Sequence, residues 1–242
     1  MRPALRASIA AAALILPAAP GHAADFAADL RAAMAPYYGA LVSSTRGDAE
    51  STQRNLALFE AQWRRAVSQE NTAPALLTGD PQWSAMIAEV NGFLARAQDL
   101  VHVRDVHGAH REIEGIRLVL SRMRHRHGLD TLDDRLTEYH ESMERIVTRA
   151  SMYNEIILND GDYEEMARDL GRANALWPRV EVEAGAITTA PDWQAAARRS
   201  AIARDELARL VSARDDAGIT RAAEEMKAAY LDLLSVMARV NR

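Results

Sequence analysis

The chain carries an internal repeat, which constrains its fold more than any other feature of the sequence. Four short anchors recur in the same order, two of them about 114 residues apart and two about 110 residues apart. The anchor pairs are Gly47-Asp48 with Gly161-Asp162, Trp63 with Trp177, Asp80-Pro81-Gln82-Trp83 with Ala190-Pro191-Asp192-Trp193, and Asp105-Val106-His107-Gly108 with Asp215-Asp216-Ala217-Gly218. Such a period is the signature of a duplicated structural unit. The sequence therefore predicts two copies, the second about four residues shorter in one loop.

Each copy is predicted to hold four α-helices. Alanine, arginine, leucine and glutamate are plentiful, and all are good helix formers. Apolar residues recur at spacings of three and four, as in Ile113, Ile116, Leu120 and Met123, which is typical of a helix with one buried face. The predicted helices are 25–45, 49–70, 81–105 and 109–126 in the first copy, and 131–159, 163–185, 191–214 and 219–240 in the second.

Turn chemistry at the predicted boundaries agrees with this division. Asp80-Pro81 places an N-cap before a proline, and Asp162-x-x-Glu165 reads as a capping box. Gly128 follows a basic helix end as a C′ glycine, and Thr131-x-x-Asp134 starts the next helix. The predicted fold class is therefore all-α: a tandem duplication of four-helix bundles, about eight helices in all, arranged as two consecutive bundles or as one elongated assembly.

The first residues predict a cleaved signal peptide. Arg2 and Arg6 form a basic segment, Ile9 to Leu16 form a short apolar run, and Gly21-His22-Ala23 offers a small-residue cleavage site. The apolar run is too short to cross a bilayer, so we expect a secreted, periplasmic protein with no transmembrane segment in the mature chain. The predicted divisions are 1–23 for the signal peptide, 24–127 for the first bundle and 128–242 for the second.

Composition excludes several classes of function. The chain has no cysteine, so thiolate metal sites, thiol catalysis and covalent haem attachment are excluded. Its net charge is -5, and about -7 without Arg2 and Arg6; nucleic acids and anionic membranes require basic faces. No hydrolase, metalloprotease, nucleotide or dinucleotide motif is present. We therefore expect a protein that is not an enzyme.

All histidines of the predicted mature chain lie between residues 102 and 140. Histidine is the commonest metal ligand and titrates near neutral pH. Three of them surround the turn between the third and fourth helices, and the second copy has no histidine at the matching places. The correspondences are His102 with Ser212, His107 with Ala217 and His110 with Thr220. The shared fold therefore does not require these imidazoles.

The turn histidines form the first candidate metal site. A turn can bring His102, His107 and His110 together, with Asp99 and Asp105 as possible oxygen ligands. Nitrogen and oxygen ligands of this kind suit copper, zinc or iron. The alternative is that these are solvated polar residues at a loop. His125 and His127, in contrast, are read as a basic helix end.

A second candidate site combines two His-x-x-x-Glu pairs on neighbouring helices. An antiparallel hairpin about Gly128 sets residue 140 opposite residue 117, so His140 and Glu144 on one helix face Glu114 on the other. His110 lies about two turns from His140, too far to share the same ion. The alternative is a polar stripe in which Arg117 and Arg124 pair with these carboxylates.

The leading hypothesis is a periplasmic metal-binding or metal-handling helical bundle. The alternative is a non-catalytic interaction, scaffold or sensor module without a metal, whose partner is another periplasmic or membrane protein. A third possibility is noncovalent haem, held by His140 with Met123 or Met143. The first hypothesis requires the imidazoles to converge, and the second requires a surface or a titratable group that can report to a partner.

Overall fold

The computed structural model describes residues 20–68, 79–152 and 158–240. Over these ranges the chain is all-α, with eight α-helices and no strand, which confirms the predicted class. The helices are α1 (Pro20–Thr45), α2 (Ala49–Ser68), α3 (Trp83–His102), α4 (Val106–Arg126), α5 (Leu132–Met152), α6 (Asp160–Ala184), α7 (Pro191–Ala213) and α8 (Asp216–Val240). A short 3₁₀ segment, Gly185–Thr189, joins α6 to α7.

The start of the chain is described only from Pro20 onward. The basic and apolar parts of the predicted signal peptide therefore lie outside the described residues, while Gly21-His22-Ala23 is helical within α1. None of the helices in the described ranges is both long and apolar enough to cross a membrane.

Three predicted helix starts, those of α4, α6 and α8, are wrong by three residues because the capping residue lies earlier. The side chain of Asp105 accepts a hydrogen bond from the Gly108 backbone N–H at 2.8 Å, so α4 begins at Val106 and not at 109. The capping box of α6 joins Asn159 and Asp162, not Asp162 and Glu165. The cap at Asp105 places His107 inside α4 together with His110.

The turn between α4 and α5 matches its prediction. Gly128 has a φ of 64° and lies in a Schellman turn, in which the Leu129 N–H bonds to the Arg124 carbonyl at 2.9 Å. Thr131 donates through both its backbone N–H and its hydroxyl to the Asp134 carboxylate. Because this connection is short and closed at both ends, it fixes the antiparallel register of α4 and α5.

The helices contact one another in two groups of four. In the first group α1 contacts α2 and α4, and α3 contacts the same two helices; the second group, α5 to α8, repeats this pattern. The groups meet through α1 with α8 and through α4 with α5. These neighbours correspond to two layers, one in the order α2, α1, α8, α7 and the other in the order α3, α4, α5, α6.

Burial separates inner helices from outer helices. The outer helix α2 buries a single stripe that includes Leu56, Phe59 and Trp63, as expected for a helix covered on one side. The inner helix α1 is buried on nearly its whole circumference, and Ala33–Ala35, Tyr37–Tyr38 and Ala40–Ser44 are all buried. The inner helices α1, α4, α5 and α8 thus surround the centre of the molecule.

The turns that precede α4 and α8 have the same local structure. Arg104 and Arg214 both adopt the left-handed conformation, with φ of 66° and 56°. In each turn the following aspartate caps the next helix by accepting from a glycine N–H, Asp105 from Gly108 and Asp215 from Gly218. The Gly-Asp anchor behaves differently, because Gly47 lies in a turn at φ 72° whereas Gly161 is inside α6.

Close packing of α3 against α4 predicts a contrast between two glycine variants. A Cβ added at Gly115 would lie 2.4 Å from the Phe93 ring, so Gly115→Ala forces a core shift and should lower the free energy of unfolding by about 1–3 kcal/mol. Gly171, in α6, has no atom within 4 Å of an added Cβ, so Gly171→Ala should raise stability by about 0.5–1 kcal/mol. Denaturant unfolding measures both, and equal effects of the two variants would contradict this packing.

Candidate functional site

The structure separates the three histidines of the predicted turn site. His102 and His107 are exposed, whereas His110 is half-buried and turned towards α1, where its Nδ1 lies 2.9 Å from Ser44 Oγ. Asp99 is exposed, and Asp105 is occupied in capping α4. Within the described ranges, no group of three or more histidine, cysteine, aspartate or glutamate side chains could hold a metal ion.

His110 lies within α4 and is not its N-terminal cap. Because Asp105 caps α4, His110 lies in the second helical turn, where its side chain projects from the helix flank towards the last residues of α1. Thr220, which corresponds to it, donates its hydroxyl hydrogen to the Ala150 carbonyl of α5. The two residues therefore each tie the start of one inner helix to the end of another.

The residues of the second candidate site do come together, but with partners that alter their chemistry. His110, Glu114 and Arg117 from α4 meet His140 and Glu144 from α5 and Lys227 and Tyr230 from α8. We call these seven residues the central polar cluster. The predicted pairing of position 117 with position 140 is confirmed, since Arg117 Nη2 lies 2.6 Å from His140 Nδ1.

Arg117 is the centre of the cluster and is only 4% exposed. It donates through Nη1 to the Tyr230 hydroxyl at 3.0 Å and through Nη2 to Glu114 Oε2 at 2.6 Å. Its Nε has no hydrogen-bond partner among the residues that the structure describes. A buried cation of this kind depends on every acceptor around it, because removing one leaves charge uncompensated in a medium of low polarity.

The contact with Arg117 fixes the proton position on His140. A guanidinium can only donate hydrogen bonds, so Nδ1 of His140 must accept and carries no proton. The proton of the neutral ring is then on Nε2, which lies 3.4 Å from Glu144 Oε1. His140 is 7% exposed, and its ring packs against Tyr230 with centroids 5.0 Å apart. Protonating Nδ1 would place two donors face to face.

His110 is held between α1 and Glu114. Its Nδ1 lies 2.9 Å from Ser44 Oγ and 3.4 Å from Thr45 Oγ1, and either partner of each contact can donate, depending on the tautomer. Its Nε2 faces Glu114 Oε1 at 3.7 Å. Burial lowers the pKa of His110 below its ordinary value, although the charge of Glu114 opposes this shift.

Glu144 is held in its charged form. Burial alone would raise its pKa, but the hydrogen bond from His140 and the charge of Lys227, whose Nζ lies 3.0 Å from Glu144 Oε1, lower the pKa to about 2. The contribution of this pair to stability is complete above the ordinary glutamate value of about 4.5 and is lost as pH falls towards 2. Glu144 therefore keeps its charge between pH 5 and pH 7.5.

A second polar contact ties α4 to α5 nearer their connecting turn. Arg124 donates to both oxygens of Asp134, Nε to Oδ2 at 2.8 Å and Nη2 to Oδ1 at 2.7 Å, and both side chains are buried. The Tyr38 hydroxyl of α1 donates to the neighbouring Asp133. The expected pairing of Arg124 with Glu114 or Glu144 is thus replaced by Asp134, which lies opposite it in the hairpin.

The remaining histidines serve the helix end, as expected. His127 is the C-cap of α4, and its Nε2 contacts Asp80 Oδ2 at 2.9 Å, a carboxylate that Arg126 also contacts. His125 is exposed and lies 3.3 Å from Asp130. These contacts fasten the start of α3 to the end of α4.

Lys227, Tyr230 and Ser44 are the cluster contacts that sequence reasoning did not assign. Their spacing from residues 110–144 is too long for any local pattern to connect them. One signal was available for Lys227: in the 110-residue alignment of the two copies it corresponds to Arg117. Two equivalent basic residues therefore contact the same His140-x-x-x-Glu144 pair, one on each acceptor.

Comparison with protein-family models, curated proteins and solved structures finds no match for this chain.

The buried pair between Arg124 and Asp134 predicts a large loss of stability on truncation. Arg124→Met leaves a buried, uncompensated carboxylate, and the free energy of unfolding should fall by about 3–5 kcal/mol. Arg122→Met, on the same helix as Arg124, removes an exposed contact with Glu89 of α3 and should change stability by less than about 1 kcal/mol. Denaturant unfolding at neutral pH compares them, and similar losses in both variants would rule out a structural role for the buried pair.

Proposed function

We propose that this chain is a non-enzymatic, periplasmic sensor module that responds to acidification through the central polar cluster. The observation that carries the proposal is the 2.6 Å contact between Arg117 and the unprotonated Nδ1 of His140. A proton on that nitrogen is incompatible with the contact. The state of the cluster, and with it the junction between the two groups of helices, is thereby linked to proton concentration.

Glu114 couples the two histidines. It is the acceptor for Arg117 at 2.6 Å and lies 3.7 Å from both His110 Nε2 and His140 Nδ1. A positive charge gained by either ring therefore competes with Arg117 for this one carboxylate. Protonation of one histidine therefore weakens the contact between Arg117 and Glu114. Because His110 lies on α4 and His140 on α5, residues of both helices contribute to the response.

The same contacts argue against the metal hypothesis at His140, Glu144 and Glu114. Arg117 and Lys227 already neutralise these carboxylates, and a cation entering beside them would meet two positive charges. Noncovalent haem would likewise require His140 to give up Arg117 or Glu144, while Met123 and Met143 are core residues. A copper, zinc or iron site at His102, His107 and His110 stays a prediction, with the exposed positions of two of its members against it.

The compartment belongs to the proposal and rests on the predicted signal peptide. Acid sensing suits a compartment such as the periplasm when protons from the surroundings enter it. In this proposal a second periplasmic or membrane protein binds the altered junction and so detects the change in pH. The cluster itself is not proposed to act on a substrate.

Tandem duplication of four-helix bundles is part of the same proposal. It is supported by the matching contact pattern of the two helix groups and by the matching turns at Arg104 and Arg214. Duplication accounts for the way in which Arg117 and Lys227, at corresponding positions, approach the junction from α4 and α8. One copy then carries the histidines, and the other supplies the second cation.

Acid sensing predicts that stability depends on histidine between about pH 7.5 and about pH 5. Because the pKa of His110 is lower in the folded chain, the unfolded chain takes up a proton below about pH 6.5 that the folded chain does not. The free energy of unfolding therefore falls as pH falls, by at most about 1.4 kcal/mol per pH unit for each such proton. Denaturant unfolding at several pH values measures this slope.

Three variants test its origin. In His140→Gln the amide oxygen can accept from Arg117 and the amide nitrogen can donate to Glu144, so the contacts persist without a titrating group. Both His140→Gln and His110→Asn should flatten the pH dependence, and His125→Gln, at an exposed site, should leave it unchanged. A slope that survives in the double variant of His110 and His140 would contradict the proposal.

The metal hypothesis has a separate test. Wild-type protein and a His102→Ala/His107→Ala/His110→Ala variant are purified from the periplasm and compared by elemental analysis and visible spectroscopy. From the separation of the three side chains we expect equal copper, zinc and iron content in both proteins. A stoichiometric metal that disappears in the triple variant would restore the first hypothesis.

A further inference from the structure

We infer that acidification opens the junction between the helix groups on its α4–α5 side while the α1–α8 side stays closed and serves as a hinge. The inference rests on the proposed function and specifies the movement that follows protonation of the central polar cluster. It comes from an asymmetry between the two seams at which the groups meet.

The two seams differ in extent. Helices α1 and α8 pack against each other far more extensively than α4 packs against α5. Both α1 and α8 are buried over wide arcs, with Tyr37, Leu41, Met226 and Leu233 inaccessible or almost so. Burial of apolar surface does not change with pH in this range, so the α1–α8 seam has no reason to separate.

The α4–α5 seam depends on charged contacts. Buried side chains form two hydrogen-bonded contacts across this seam: Arg117 with His140, and Arg124 with Asp134. They lie at different distances from the connecting turn: the Arg124 pair is next to the turn, and the Arg117 pair is about two helical turns beyond it. Only the outer of the two contacts contains a titratable imidazole.

The turn restricts where the seam can open. Gly128 and Thr131 close a short connection between α4 and α5, and Arg124 with Asp134 reinforces that end. Loss of the Arg117–His140 contact therefore frees the opposite end, where α4 begins and α5 finishes. The seam opens from that end towards the turn.

Every charged group that faces the imidazoles bears on this movement. From α4 these are Glu114 and Arg117, from α5 Glu144, and from α8 Lys227; Tyr37 of α1 and Tyr230 of α8 stay neutral, since burial raises the pKa of both phenols. With both histidines neutral the two carboxylates balance the two cations. Each proton gained adds one uncompensated positive charge to a site enclosed by four helices, and α4 moving away from α5 relieves it.

Spin-label distances on the full chain test the inference, because the sequence has no native cysteine to label. Arg111→Cys with Thr148→Cys places labels on exposed residues at the free end of the α4–α5 seam. Ala57→Cys with Ile202→Cys places labels on exposed residues of α2 and α7, across the α1–α8 seam. Distances are measured by pulsed electron paramagnetic resonance at about pH 7.5 and about pH 5, on either side of the ordinary histidine pKa.

We expect the first distance to lengthen at the lower pH by more than the width of its distribution at the higher pH, and the second to stay constant. The lengthening should vanish when His140→Gln is added and persist when His125→Gln is added. Constant distances in both pairs, or equal lengthening in both, would overturn the hinge.

The failure of this inference can be told apart from failure of the proposed function. If unfolding shows a histidine-dependent pH slope but neither distance changes, acid sensing stands and the hinge is wrong. If unfolding shows no such slope, the proposed function itself fails, whatever the distances show. Far-ultraviolet circular dichroism at each pH verifies that the labelled variants remain folded.

Discussion

A single buried guanidinium organises the middle of this molecule. The Glu114 carboxylate of its own helix balances the charge of Arg117. Arg117 also donates to the unprotonated Nδ1 of His140 on α5 and to the Tyr230 hydroxyl on α8. Burying such a charge is costly unless each neighbour stays in the right ionisation state. The inner helices α4, α5 and α8 are therefore joined through an interaction whose strength depends on the ionisation states of its members.

Local sequence patterns predicted much of the fold. Apolar spacing gave the helical class, and Gly128 with Thr131 gave a closed turn, from which the pairing of residues 117 and 140 follows by counting along two antiparallel helices. Helix starts were less accurate, because Asp105 and Asp162 can each take part in more than one capping arrangement. Only the three-dimensional turn decides which backbone N–H groups their carboxylates reach.

The candidate site was predicted less well, for a different physical reason. Helical periodicity shows that His110, Glu114 and His140 share a polar stripe, but it cannot show that α1 and α8 cover that stripe. Ser44 and Tyr230, which enclose it, lie far away in sequence. Burial turned what looked like a solvated row of ion pairs into an enclosed cluster in which the proton position on His140 is fixed. The same missing information made the exposed His102 and His107 appear equivalent to His110.

The short connection at Gly128 has a further consequence. It makes the two helix groups one covalent unit, so each remains at a high effective concentration relative to the other even when their contacts weaken. A dimer held by a similar cluster would separate on dilution, and its acid response would shift with protein concentration. The response proposed for this chain is intramolecular, so its midpoint would be independent of protein concentration, and the two helix groups would come together again without a second molecule.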